Sequence, residues 1–127
     1  MRIEVDYDTS LDPPGPIVPV TVEGPAGVQL LLRMLLDSGA DCTLLPASIV
    51  RQLQLPAVDR VAVAGLDGAE RSTTVHAARL TLGAARMLVR VVAFGSEGIL
   101  GRDMLQRAVT RLDGPRQRVI MSMPRRS

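Results

Sequence analysis

The residues best able to do chemistry sit in two short clusters about sixty positions apart: Asp37-Ser38-Gly39-Ala40 and Ile99-Leu100-Gly101-Arg102-Asp103. The first follows an apolar run that ends in Leu35-Leu36. A carboxylate at the end of a buried strand is costly unless it is hydrogen-bonded, paired or functional. Gly39 permits close backbone approach or unusual dihedrals. The bland account is an Asx-type turn in which Asp37 merely caps a loop. In the second cluster two apolar residues enter a glycine, and Arg102-Asp103 opens a helix. Here the bland account is a strand-to-helix junction with Asp103 as a cap. A charge beside Ile99-Leu100-Gly101 is expected to be partly buried, so Arg102 calls for a carboxylate partner, with Asp103 the local option.

Other chemistries lack their residues. Cys42 is the only cysteine and His76 the only histidine, so an internal disulfide and a zinc site of the usual Cys/His kind are both excluded. A serine triad would need His76 near an activated serine, and no G-x-S-x-G elbow is present. Cys42 lies in an apolar stretch and reads as a small buried hydrophobe rather than as half of a thiol dyad with His76. The formal charge is only +2, all fifteen cations are arginines, and they are scattered along the chain. A nucleic-acid surface gathers its cations on one face, and a base-stacking one needs aromatics, of which there are only Tyr7 and Phe94. No nucleic-acid partner is expected. With no run of 18 apolar residues, no membrane span is expected. The first sixteen residues lack the pattern of a signal peptide, so the expected location is the cytoplasm. No metal or cofactor is expected.

The chain of 127 residues is 46% hydrophobic, enough to bury an aliphatic core in one domain. Residues 1–16 read as an acidic, loosely ordered lead in which Met1 to Val5 could add an edge strand. Strands are expected over Ile17 to Glu23, Val28 to Leu36, Thr43 to Leu45, Arg60 to Ala64, Glu70 to Leu82 and Arg86 to Phe94. The turns between them carry glycine. Pro46 to Leu55 reads as a short helix with Pro46 near its first turn. Gly98 to Asp103 opens a second helix reaching about Arg107, and Ala108 to Leu112 with Gln117 to Met123 form a closing hairpin. The result is a mostly β, closed, barrel-like domain over 17–123 with one or two short helices and a basic tail over 124–127.

In this order and spacing the pieces resemble the retropepsin-like, single-domain aspartic proteases. The resemblance rests on Asp37-Ser38-Gly39-Ala40 after a hairpin, a glycine-containing hairpin around Gly65-Leu66-Asp67-Gly68, and Ile99-Leu100-Gly101-Arg102-Asp103 before a short helix. It implies one lobe per chain and a homodimer that hydrolyses peptide or protein substrates. Asp37, Ser38 and Gly39 would form the catalytic loop, with Ser38 bonding across the dimer and Gly39 leaving room for water and substrate. Ala40, Asp41, Ile99 and the flap residues Gly65, Leu66, Asp67 and Gly68 would contact substrate. Arg102, paired with Asp41, and Asp103 would support the loop. The strand Val119 to Met123 would help form the dimer sheet. Ser38 stands where threonine is commoner, and the flap is less glycine-rich than in viral members. Peptide hydrolysis by carboxylates needs two of them, and this chain has one such motif, so the second must come from an identical chain. The alternative from another class is a non-catalytic homodimeric module that holds a peptide on the same fold without cutting it.

Overall fold

The computed structural model describes residues 2–64 and 68–124. Alternation of apolar and polar residues sets most of the strands. In β2 (Ile17–Glu23), Val18, Val20 and Val22 are fully buried while Pro19 points away from the core. Proline is tolerated there because pairing of β2 with β6 begins only at Thr21. A hairpin over Gly24 to Val28 leads to β3 (Gln29–Leu36), which buries Met34 and Leu36. After the Asp37 loop come β4 (Leu44–Leu45) and a six-residue helix α1 (Ala47–Gln52). The long hairpin of β5 (Ala57–Ala64) and β6 (Glu70–Leu82) follows, then β7 (Ala85–Ala93). Next are β8 (Gly98–Leu100), a short helix α2 (Arg102–Leu105), β9 (Val109–Asp113) and β10 (Arg118–Ser122).

The strands run β2-β3-β8-β4-β7-β6-β5 in one sheet, and a further β2–β6 pairing closes six of them into a barrel. Closure gives each of those six strands a partner on both sides over part of its length and leaves β5 outside. The interior is aliphatic, with Val18, Leu45, Leu80, Leu82, Val91 and Leu100 each at 0% exposure. Large-to-small changes at such positions typically cost about 2–5 kcal/mol for leucine. Two crossings matter for the site. β8 lies parallel to β3, with Leu36 opposite Leu100, and antiparallel to β4, with Ile99 opposite Leu44. β4 in turn runs parallel to β7.

A separate three-stranded sheet has the order β1-β10-β9, where β1 is Arg2–Asp6. The lead expected to be loosely ordered therefore begins as a paired edge strand. Its alternation explains this: Ile3 lies opposite Met121 in register and is buried in the core, while Arg2, Glu4 and Asp6 are exposed. Further along, Asp8 bridges Gly15 and its carboxylate bonds Ser10 and Arg33. The Ser10 hydroxyl and amide, more than Arg33, hold the Asp8 carboxyl below its ordinary range. β10 has β1 on one side and β9 on the other, so it offers no free edge to another chain.

Most boundaries shift by a residue or two from the expected ones; α1 ends at Gln52, three residues before the expected Leu55, and two further differences stand out. β5 starts at Ala57, three residues early, and carries an irregularity between Ala57 and Asp59. Gly98 to Leu100 is a strand rather than a helix entry, and the helix after it is a single turn. Three residues are too few to show a period, and only β3 and β4 on either side hold them extended.

Candidate active site

Asp37 sits where β3 leaves the barrel beside the end of β8. Its N–H donates to the Leu100 carbonyl at 3.0 Å, extending the β3–β8 pairing by one residue and fixing the backbone. The Ala40 N–H returns to the Asp37 carbonyl at 3.2 Å, and the Gly39 N–H donates to Asp37 Oδ1 at 2.8 Å. The loop is thus a tight turn folded back on its own carboxylate. A Cβ on residue 39 would stand 3.1 Å from that oxygen, so glycine keeps the contact unobstructed. Among the described residues nothing bonds Asp37 Oδ2. Asp37 is half-buried, and Ser38, Gly39 and Asp41 are exposed. The Asx-type turn of the bland account is present, and it leaves the other carboxylate oxygen unbonded among the described residues at the end of β3.

The second cluster lies directly behind this loop. Arg102 N–H donates to the Ala40 carbonyl at 2.8 Å. Gly101 approaches so closely that a Cβ would fall 2.3 Å from the Cys42 carbonyl oxygen and 3.0 Å from that of Ala40, so no side chain fits without moving backbone. Thr43, fully buried, is the hub. Its hydroxyl accepts from Gly101 N–H at 3.2 Å and donates to Asp103 Oδ1 at 2.8 Å, while its amide donates to Asp103 Oδ2 at 3.2 Å. Asp103 does not pair with Arg102; it clamps the far end of the loop. Thr43 was not among the residues expected at the site. A threonine in an apolar run carries no local signal, and only the folding-back of residues 101–103 gives it a role.

Arg102 pairs with Asp41. The expectation of partial burial does not hold: the Arg102 and Asp41 side chains are 53% and 83% exposed. Ile99 is half-buried between β3 and β4. Gly65, Leu66 and Asp67 lie outside the described residues. Gly68 is exposed with φ +76, a left-handed conformation suited to glycine. The hairpin that carries this turn pairs out to Ala64 and Glu70, and nearly all of β5 is exposed on both faces, so its outer part stands off the barrel.

Cys42 and His76 form no dyad. Burial first, then the Asp103 and Asp41 charges, push the Cys42 thiol up, which keeps it protonated. Both His76 ring nitrogens are engaged, Nδ1 with the Leu55 carbonyl at 2.8 Å and Nε2 with the Thr74 hydroxyl at 2.7 Å. Among the described residues no three His, Cys, Asp or Glu side chains gather to hold a metal. No helix among them is long and apolar enough to cross a membrane.

Residues 18–107 match the family model described as "gag-polyprotein putative aspartyl protease". The chain belongs to the retropepsin-like aspartic proteases. The match spans both clusters and the hairpin between them. Solved structures agree on the fold. The EIAV protease complexed with the inhibitor HBY-793 is 24% identical, with 80% of this chain and 92% of that one covered and a TM-score of 0.60. A retropepsin-like aspartic protease from Rickettsia conorii is 14% identical over 95% of this chain and 89% of that one, with a TM-score of 0.66. The simian foamy virus (mac) protease, in solution, is 17% identical over 69% and 91%, with a TM-score of 0.50. A comparison of this retropepsin-like chain with curated proteins found no match.

Proposed function

We propose that this retropepsin-like chain is an aspartic endopeptidase that works as a homodimer, each subunit contributing Asp37. The observation that carries the reading is the Asp37 carboxylate itself: one oxygen is tied to Gly39 N–H and the other is unbonded among the described residues, where β3 ends against β8. Across a two-fold axis two such carboxylates would meet. As is general for aspartic proteases, carboxylates about 3 Å apart cannot both ionise and share one proton. The ionised Asp37 takes a proton from the attacking water. The neutral one donates a hydrogen bond to the scissile carbonyl and supports protonation of the leaving amine. Ser38 bonds across the dimer and Gly39 leaves space for the water. Asp41, Ala40 and Ile99 contact the substrate backbone, and the β5–β6 hairpin closes over it and excludes water. The substrate is a peptide in extended form. Cys42, with no cysteine to pair with, is compatible with the reducing cytoplasm as the location.

The test mixes subunits. Asp37→Asn is near-isosteric and removes a repelling charge, so it should fold and dimerise but not cleave a denatured protein mixture. Co-folded with wild type at threefold excess, random pairing leaves about one quarter of the wild-type chains in wild-type pairs. Activity from a fixed amount of wild type should fall to that fraction. Undiminished activity, with exchange verified by differently tagged chains, would rule out a shared site.

A further inference from the structure

The side of the barrel that carries Asp37 is apolar across several strands. β3 buries Met34 and Leu36 in the core, so strand alternation turns Leu35, and Asp37 two residues on, to the opposite side. Ile17 of β2 and Ile99 of β8 lie in register with Leu35, and Leu44 of β4 lies beyond Ile99. All four are half-buried, a row of aliphatic side chains left partly open to solvent. At the Ile17–Leu35 end the row runs into a pocket of about 250 Å³, which Leu11, Arg33 and Glu97 also line. Its wall at Leu35 is two residues from Asp37, about 7 Å along an extended chain.

Leu11 comes from the lead. Asp8 and Gly15 exchange backbone hydrogen bonds of 2.8 and 3.2 Å, and the Asp8 carboxylate takes Ser10 and Arg33, so residues 8–15 form a closed loop latched to β3. A Cβ on Gly15 would stand 2.9 Å from Leu11 Cδ1 and 3.8 Å from Leu35 Cδ1, so the loop folds Leu11 in beside Leu35. The two charges of the pocket are not equivalent. Arg33 is matched by Asp8 at 3.2 Å. Glu97 is exposed and, among the described residues, has neither an ion pair nor a hydrogen bond. The pocket thus offers aliphatic walls and one unmatched negative charge.

We propose that this pocket receives a substrate side chain with an aliphatic stem and a cationic end, as in lysine or arginine, with Leu11 packing on the stem and Glu97 pairing with the charge. Methylenes against apolar surface with the charge left at the mouth is the ordinary way such side chains are buried. The inference rests on the peptidase reading and names its substrate class, and it makes the lead a wall of the substrate site. A shared site has a two-fold axis, so each subunit brings one pocket and the cationic residues fall at equal distances on either side of the bond that is cut.

Cleavage of a random-sequence peptide library at about pH 6, where a glutamate is ionised, tests the proposal, with the cut sites read by mass spectrometry. Lysine and arginine should be enriched at one position on each side of the cut. Two peptides that differ only in lysine or norleucine at that position isolate the charge: the ratio of their kcat/KM values should fall about threefold to fivefold in Glu97→Gln. In Leu11→Ala, checked by thermal melting to be folded, kcat/KM for norleucine relative to alanine at that position should fall about threefold. An unchanged ratio there removes the lead from the site. No cationic preference in wild type, or one that Glu97→Gln leaves intact, overturns the pocket assignment, while cleavage itself sustains the peptidase reading. No cleavage by wild type overturns the peptidase reading, and binding then judges the pocket. A fluorescently labelled peptide with lysine at alternate positions should bind Asp37→Asn more tightly than its norleucine twin and lose that advantage when Glu97→Gln is added. Equal or absent binding overturns the pocket as well.

Discussion

Asp103→Ala tests whether the loop is held from behind. The Asp103 carboxylate takes the Thr43 hydroxyl at 2.8 Å, the Thr43 amide at 3.2 Å and the Met104 amide at 2.8 Å. The Met104 amide also reaches the Gly101 carbonyl, so its loss has a substitute. Thr43 does not: it is fully buried, and its amide would be left without a partner. Hydrogen bonds to a charged group contribute about 1.5–3 kcal/mol each. Asp103 is only half-buried, so the low end applies, and two bonds give about 3 kcal/mol. For a domain of this size that corresponds to a fall in melting temperature of roughly 12 °C at fixed protein concentration. A double-mutant cycle with Thr43→Val isolates the pair, and a coupling of about 1–2 kcal/mol is expected. Proteolysis should fall with stability, since the same bonds fix the end of the Asp37 loop. A melting temperature within about 2 °C of wild type, or a coupling below about 0.5 kcal/mol, would refute the clamp.

Arg102→Ala should behave differently despite lying next door: its pair with Asp41 is exposed, so thermal melting should register at most about 1 kcal/mol of lost stability. Gly101→Ala forces a methyl against the Cys42 carbonyl, which only a backbone shift relieves; a loss of about 1–3 kcal/mol, read by denaturant unfolding, should come with loss of cleavage because the shift moves the loop. The rate of cleavage against pH should be bell-shaped and lie on the acid side of neutrality, since one carboxylate must be ionised and its twin neutral, and a metal chelator should leave it unchanged; a rate rising steadily to alkaline pH would count against the dyad.

Much of this molecule is legible in the order of its residues. The alternation in Ile17–Glu23 and Glu70–Leu82, and the glycine-bearing turns between strands, are local properties that survive in any context, and they yield a mostly β chain with short helices. The carboxylate motif, too, is local: Asp37-Ser38-Gly39 after an apolar run raises the chemical question without any structure. What the sequence alone cannot carry is adjacency. Gly98–Leu100 is a strand only because β3 and β4 flank it, and a three-residue segment has no period to announce this. Thr43 looks like filler until residues 101–103 fold back on it. Arg102 was expected to be partly buried because its sequence neighbours are apolar, but burial belongs to the packed surface and not to the neighbours, and the side chain is 53% exposed. That the lead strand β1 pairs with the C-terminal strand β10 and leaves β9 with a single neighbour is settled by which strands meet in space, which no local pattern of residues encodes.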